Sequence, residues 1–153
     1  MAGNSVAQRI KVAFDGCDSG VAELNWGQLT HWRNAKLSGI TESAGGMMKL
    51  AEGTTVDDIV KLLRYIVTRH QALRTRIFAD ENGHPWQEVL ASGEIELEII
   101  DADDAADPEV IADATRIVYE YAKWDFAGEL PVRMAVIRHN GEASHFVAMY
   151  SNI

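Results

Sequence analysis

A chain of 153 residues with a formal charge of −9, nearly half apolar and about a quarter charged, can bury one core and is too apolar to be disordered or fibrous. Its acids, many of them between Glu94 and Glu120, face no block of Lys and Arg, which argues against nucleic acid and an anionic membrane surface as partners. A single cysteine, Cys17, leaves no internal disulfide and no Cys pair for a metal, and its two neighbouring aspartates make it a poor nucleophile.

The opening residues, Met1 to Val6, lack a basic start followed by an apolar run, and no stretch approaches the roughly 18 apolar residues of a membrane span. A cytoplasmic protein is the expectation. Residues 8–14 alternate Ile10, Val12 and Phe14 with Lys11 and Ala13, the period of a strand with one buried face. A loop follows over 15–20, then a short helix over 26–36, and residues 37–53, with Ala44-Gly45-Gly46, read as a mobile connection.

The strongest helix signal starts at Thr54 or Thr55, with Asp57 and Asp58 in the first turn. Val56, Ile59, Val60, Leu63, Ile66, Val67 and His70 then form one stripe, which predicts a helix to about Leu73. Strand-like runs over 75–78 and 86–90 flank Asn82-Gly83, a preferred pair for a tight hairpin turn. Residues 94–99 alternate acid and aliphatic, a strand with one wet face.

Asp107 as cap and Pro108 in the first turn begin a third helix, for which Val110, Ala114, Ile117, Val118 and Tyr121 are the predicted buried face. Two last strands, over 131–137 and 145–153, are joined through Asn140-Gly141, and the last runs to Ile153, which suggests a truncated or clipped product. The mixture predicts an α/β (α+β) two-layer sandwich over residues 1–153, with the helices on one face of a mixed sheet.

Chemistry-bearing patterns are sparse. His31, His70, His84, His139 and His145 show no metal spacing, Asp101-Ala102-Asp103-Asp104 fails as a calcium loop because Ala106 and Ala112 stand where Gly and Glu are needed, and Ala44-Gly45-Gly46-Met47 matches no nucleotide fingerprint. Ser151 lacks a glycine-flanked elbow, so it reads as a strand serine.

Three ordered segments carry a resemblance: Glu23–Trp32 with its Asn25-Trp26-Gly27-Gln28; Arg69-His70-Gln71-Ala72-Leu73-Arg74-Thr75-Arg76-Ile77-Phe78, the most specific; and Trp124-Asp125-Phe126-Ala127-Gly128-Glu129-Leu130-Pro131. On their own residues, Trp26 and Trp32 read as core, and Arg69, His70 and Arg74 read as a basic helix C-terminus complementing the dipole. In order, the three are similar to motifs of the condensation domains of nonribosomal peptide synthetases, whose fold is chloramphenicol-acetyltransferase-like, with two lobes in a V.

The resemblance covers the N-terminal lobe only and puts Ser151 and Asn152 at the family's His-His pair. It implies that Arg74 forms an ion pair with an aspartate beyond Ile153. The resemblance implies that the family's second histidine takes a proton from the amine, or positions the amine and stabilises the tetrahedral intermediate; Asn152 cannot exchange a proton, but its amide can donate a hydrogen bond that orients a carbonyl. The resemblance thus implies amide formation between thioesters on peptidyl or acyl carrier proteins, delivered on phosphopantetheine arms with no other cofactor or metal, and a chain inactive alone, its C-terminal lobe missing. Two other readings are a non-catalytic module that binds carrier proteins and an acyltransferase that does not use the His pair. Exposed strand edges and the uncovered lobe face imply self-association.

Overall fold

The computed structural model describes residues 6–15 and 18–153, so the readings of Cys17 and of the first five residues lie outside the described residues. Eight strands and three α-helices follow in order: β1 (Val6–Phe14), β2 (Gly20–Glu23), α1 (Trp26–Ser38), β3 (Ser43–Lys49), α2 (Val56–Arg69), β4 (Thr75–Ala79), β5 (Pro85–Val89), β6 (Gly93–Ala102), α3 (Pro108–Tyr121), β7 (Val132–His139) and β8 (Glu142–Ser151). A five-stranded mixed sheet runs β1-β6-β7-β8-β3, and a small sheet runs β2-β5-β4. Only β6 and β7 are parallel, joined through α3, as a parallel pair requires a crossover.

Alternation along the strands sorts the core into two layers. Val12, Ile95, Leu97, Ile99, Met134 and Val136 face α2, which contributes Ile59, Leu63 and Val67. Ala135, Ile137, Val147 and Met149 face the other way, toward Ala112 and Tyr119 of α3 and toward Trp124. The mixed sheet with helices is as the sequence predicts, but the placement of both helices on one face is not: α2 and α3 cover opposite faces.

The stripe on α2 is buried as expected, except that His70 leaves helical geometry (φ −110°, ψ 103°) and is exposed. The helix therefore stops at Arg69 rather than near Leu73, and a 3₁₀ turn over Gln71–Arg74 brings Leu73 against the core and buries Arg74. On α3 the prediction fails in register. Val110, Ala114, Ile117, Val118 and Tyr121 all point outward.

The segment expected to be a mobile connection holds β3, antiparallel to β8 with Gly45 opposite Met149 and Gly46 opposite Ala148. A Cβ on Gly45 (φ +154°) would sit 2.1 Å from the Ala148 carbonyl oxygen. Both glycines weaken the strand signal, and Gly45 is the one that lets this edge approach β8, since a Cβ on Gly46 would meet nothing within 4 Å. Asn140 and Gly141 both take positive φ and close a two-residue hairpin between His139 and Glu142, as predicted. The Asn82-Gly83 hairpin also forms, through a longer loop built on Asp80: its carboxylate accepts the backbone N–H groups of Asn82 and His84 and the Trp86 indole N–H. These three donors hold the Asp80 carboxyl below its ordinary pKa, the indole contributing most.

Candidate functional site

Strand β8 ends at Ser151, whose backbone N–H donates to the Pro131 carbonyl at 3.0 Å. The backbone N–H of Asn152 donates to the Glu42 carbonyl at 3.1 Å, just before β3. The pair thus sits at a strand end held from both sides, by the residues that precede β7 and β3. The Ser151 hydroxyl accepts from the Ile153 N–H at 3.3 Å. No hydrogen bond joins it to an imidazole or a carboxylate among the described residues, so nothing there would raise its nucleophilicity. Asn152 is exposed, and its amide can donate or accept but cannot exchange a proton near neutral pH.

Glu42 went unnoticed in the sequence because it lies in the stretch read as a mobile connection. Its carboxylate lies 2.9 Å from His31 Nδ1 of α1, close enough for an ion pair but not aligned as a hydrogen bond. This contact ties α1 to the segment that carries Asn152.

Arg74 is 3% exposed. Its Nη1 donates to the carbonyls of Asp18 (2.6 Å) and Leu90 (2.8 Å), and Leu90 returns a backbone N–H to the Arg74 carbonyl. The guanidinium therefore fastens the loop after β1 to the link between β5 and β6, rather than complementing the end of α2. Its Nε is buried with no partner among the described residues. The structure does not bring Arg74 into hydrogen-bond contact with Ser151 or Asn152. It does bring Thr75, the next residue, to the wall of a small pocket that Ile153 also lines, with Trp124, Phe126 and Pro131.

The other two motifs hold this junction in place. Asn25 and Gln28 form a reciprocal capping box at the start of α1, and the Gln28 amide reaches Gln87 of β5 at 3.1 Å. Trp26, read as core, is 83% exposed, because α1 buries no residue. Trp32 is half-buried, with the Lys36 ammonium 5.6 Å from its ring centre.

In the third motif the Arg133 guanidinium stacks 4.1 Å from the centre of the Trp124 ring and pairs with Glu129 at 2.6 Å. The Phe126 carbonyl accepts from the Ile77 N–H, which links the motif to β4. A Cβ at Gly128 would lie 2.2 Å from the Asp125 carboxylate, which accepts the Gly128 N–H and would have to swing aside.

A separate groove of about 580 Å³ lies on the α3 side of the sheet, between Val118 and Tyr119 and the acids Glu94, Glu96 and Glu98 of β6. The Tyr119 hydroxyl donates to Glu98 at 2.5 Å, and burial, reinforced by that carboxylate, pushes its pKa well above the ordinary phenol range. Among the described residues, no group of three His, Cys, Asp or Glu side chains could hold a metal ion, and no helix is long and apolar enough to cross a membrane.

The mixed sheet with a helix on each face is a fold of the chloramphenicol-acetyltransferase-like class. It superposes on the first condensation domain of the CDA synthetase with a TM-score of 0.71 at 15% identity, covering 86% of this chain and 35% of that one. An epimerization domain from tyrocidine synthetase B matches with a TM-score of 0.68 at 16% identity, over 89% of this chain and 31% of that one.

Sequence then narrows the class: the condensation domain family model matches residues 40–150, and the chain belongs to that family. CymA of Salinispora arenicola (strain CNS-205), named as a nonribosomal peptide synthetase, is 35% identical over 112 residues, 72% of this chain. The hybrid PKS-NRPS synthetase prlS of a fungal species (strain NRRL 50135) is 28% identical over 135 residues, 82% of this chain. The chain spans 1% and 3% of the lengths of these two relatives.

Proposed function

We propose that the chain is the N-terminal lobe of a condensation domain in which Ser151 and Asn152 stand at the His-His positions, and that it supplies half of a site for carrier-borne thioesters. One observation carries this reading. Ile153 and Thr75 wall the same small pocket, so a chain continuing past Ile153 would start beside the strand that follows Arg74, whose Nε is buried with no partner among the described residues. An aspartate a few residues on that reached the Arg74 guanidinium, which lies outside that pocket and is held by the Asp18 and Leu90 carbonyls, would form a charge-assisted pair that holds the lobe junction.

In this reading the substrates arrive as acyl groups on the phosphopantetheine arms of peptidyl or acyl carrier proteins. An amine attacks the thioester carbonyl, the C–N bond forms as the C–S bond breaks, and the arm departs as a thiolate that takes up the proton the amine loses. Asn152 can offer a hydrogen bond to the carbonyl oxygen but cannot relay the amine proton. The 153-residue chain is accordingly inactive alone, and its free β3 edge favours self-association.

Two measurements test the reading. The residues encoded after Ile153 should be two variable positions and then Asp-Gly, and the absence of that Asp-Gly counts against the lobe assignment. Titration of the chain with holo carrier proteins should show binding by the high micromolar range; no binding there removes the carrier-recognition role.

A further inference from the structure

Helix α3 presents an apolar seam to solvent. Val110 is 62% exposed, Ile117 42%, Val118 64% and Tyr121 80%, and Ala114 completes the row. Positions 110, 114, 117 and 121 follow each other at spacings of four, three and four, the interval at which one helix packs along another. No described residue covers this seam, because α3 takes hold of the sheet through Ala112 and Tyr119 on its far side.

The charge around the seam is predominantly acidic, with Lys123 just past Tyr121 as an exception. Asp103 and Asp104 precede the helix, and Glu109, Asp113 and Glu120 run along one flank. The Arg116 guanidinium on that flank is already held by Asp113 (2.9 Å) and Glu120 (2.6 Å). Across the other flank lies the groove whose far wall carries Glu94, Glu96 and Glu98. The cations near that wall are likewise engaged: Arg9 with Glu96 and Glu98, Lys11 with Glu94, and Arg133 with Glu129. A second copy of this chain would bring the same acids against themselves, at a formal charge of −9 per copy.

We infer that the outer face of α3 is a docking surface for a basic amphipathic helix of another protein, one with an apolar ridge flanked by Lys and Arg. The ridge lies along Val110–Tyr121, and the flanking cations meet the carboxylates on both sides. This surface is independent of Ser151 and Asn152 and stands whether or not the domain forms amides.

The test uses the 153-residue chain and three synthetic 18-residue helices: Leu seam with Lys flanks, Leu seam with Glu flanks, and Lys flanks with the seam changed to Ser. By fluorescence anisotropy, the first should bind with a Kd on the order of 10 μM, and each of the others at least about tenfold more weakly. The variant carrying Ile117→Gln and Val118→Gln, both exposed positions, should lose at least about tenfold toward the first helix with an unchanged circular dichroism spectrum. Equal binding of the Ser-seam helix would overturn the inference by showing charge attraction alone. So would undiminished binding by the folded double variant, or a dimer in sedimentation that the double variant dissolves. Should that variant not fold, the comparison of the three helices still decides.

Discussion

Helices α2 and α3 are both fourteen residues long, both N-capped and both amphipathic, yet they treat the central sheet in opposite ways. On α2 the apolar stripe is the buried face, because the strands opposite present Val12, Ile95, Leu97 and Ile99. On α3 the apolar stripe is the outer face. The strands below it, β7 and β8, present Ala135, Ile137, Val147 and Met149, and the helix meets them with its other side, through Ala112 and the ring of Tyr119, whose hydroxyl reaches Glu98 across the groove. A helical period identifies which side of a helix is apolar; the partner surface decides which side is buried.

The largest expected effect that sharpens this contrast is Leu63→Ala on α2, which should destabilise the chain by about 2–5 kcal/mol in urea unfolding, whereas Val118→Ala on α3 should stay within about 0.5 kcal/mol. Equal losses would mean that the seam on α3 is covered. Next comes Gly45→Ala at the edge strand. The new Cβ would fall on the Ala148 carbonyl, so a loss of about 2–3 kcal/mol is expected, together with weaker amide protection along β8.

Most of the element order was legible in the sequence, since alternation in 8–14 and 94–99, the stripe on α2 and the two Asn-Gly turns are local signals. Strand β3 was not, because its glycines erase strand propensity while Gly45 serves the close approach to β8. The exposed Trp26 and the outward seam of α3 were misread for a common reason: apolar character was equated with burial, and what lies opposite is a tertiary fact. Motif order singles out Ser151, Asn152 and Arg74 as candidates, whereas the carbonyl of Glu42 that holds Asn152 is a backbone group with no sequence signature.

The smallest effect concerns the loop built on Asp80. Its folded pKa is depressed below the ordinary value of 3.8, so its contribution is present above that value and is lost as pH falls through the folded pKa. Trp86 fluorescence should therefore report loosening of the hairpin at acidic pH before the α2 layer unfolds, and Asp80→Asn should remove that early phase. Its persistence in the variant would assign it elsewhere.

The proposal that Asn152 stands where a histidine would exchange a proton is tested most directly by amide formation in a protein that contains this lobe, supplied with carrier-borne thioester and amine. The account predicts a rate near the uncatalysed level with Asn152 and a gain of about 10²–10⁴ in Asn152→His. A parent protein that already forms amide rapidly, with no gain from the histidine, would contradict it.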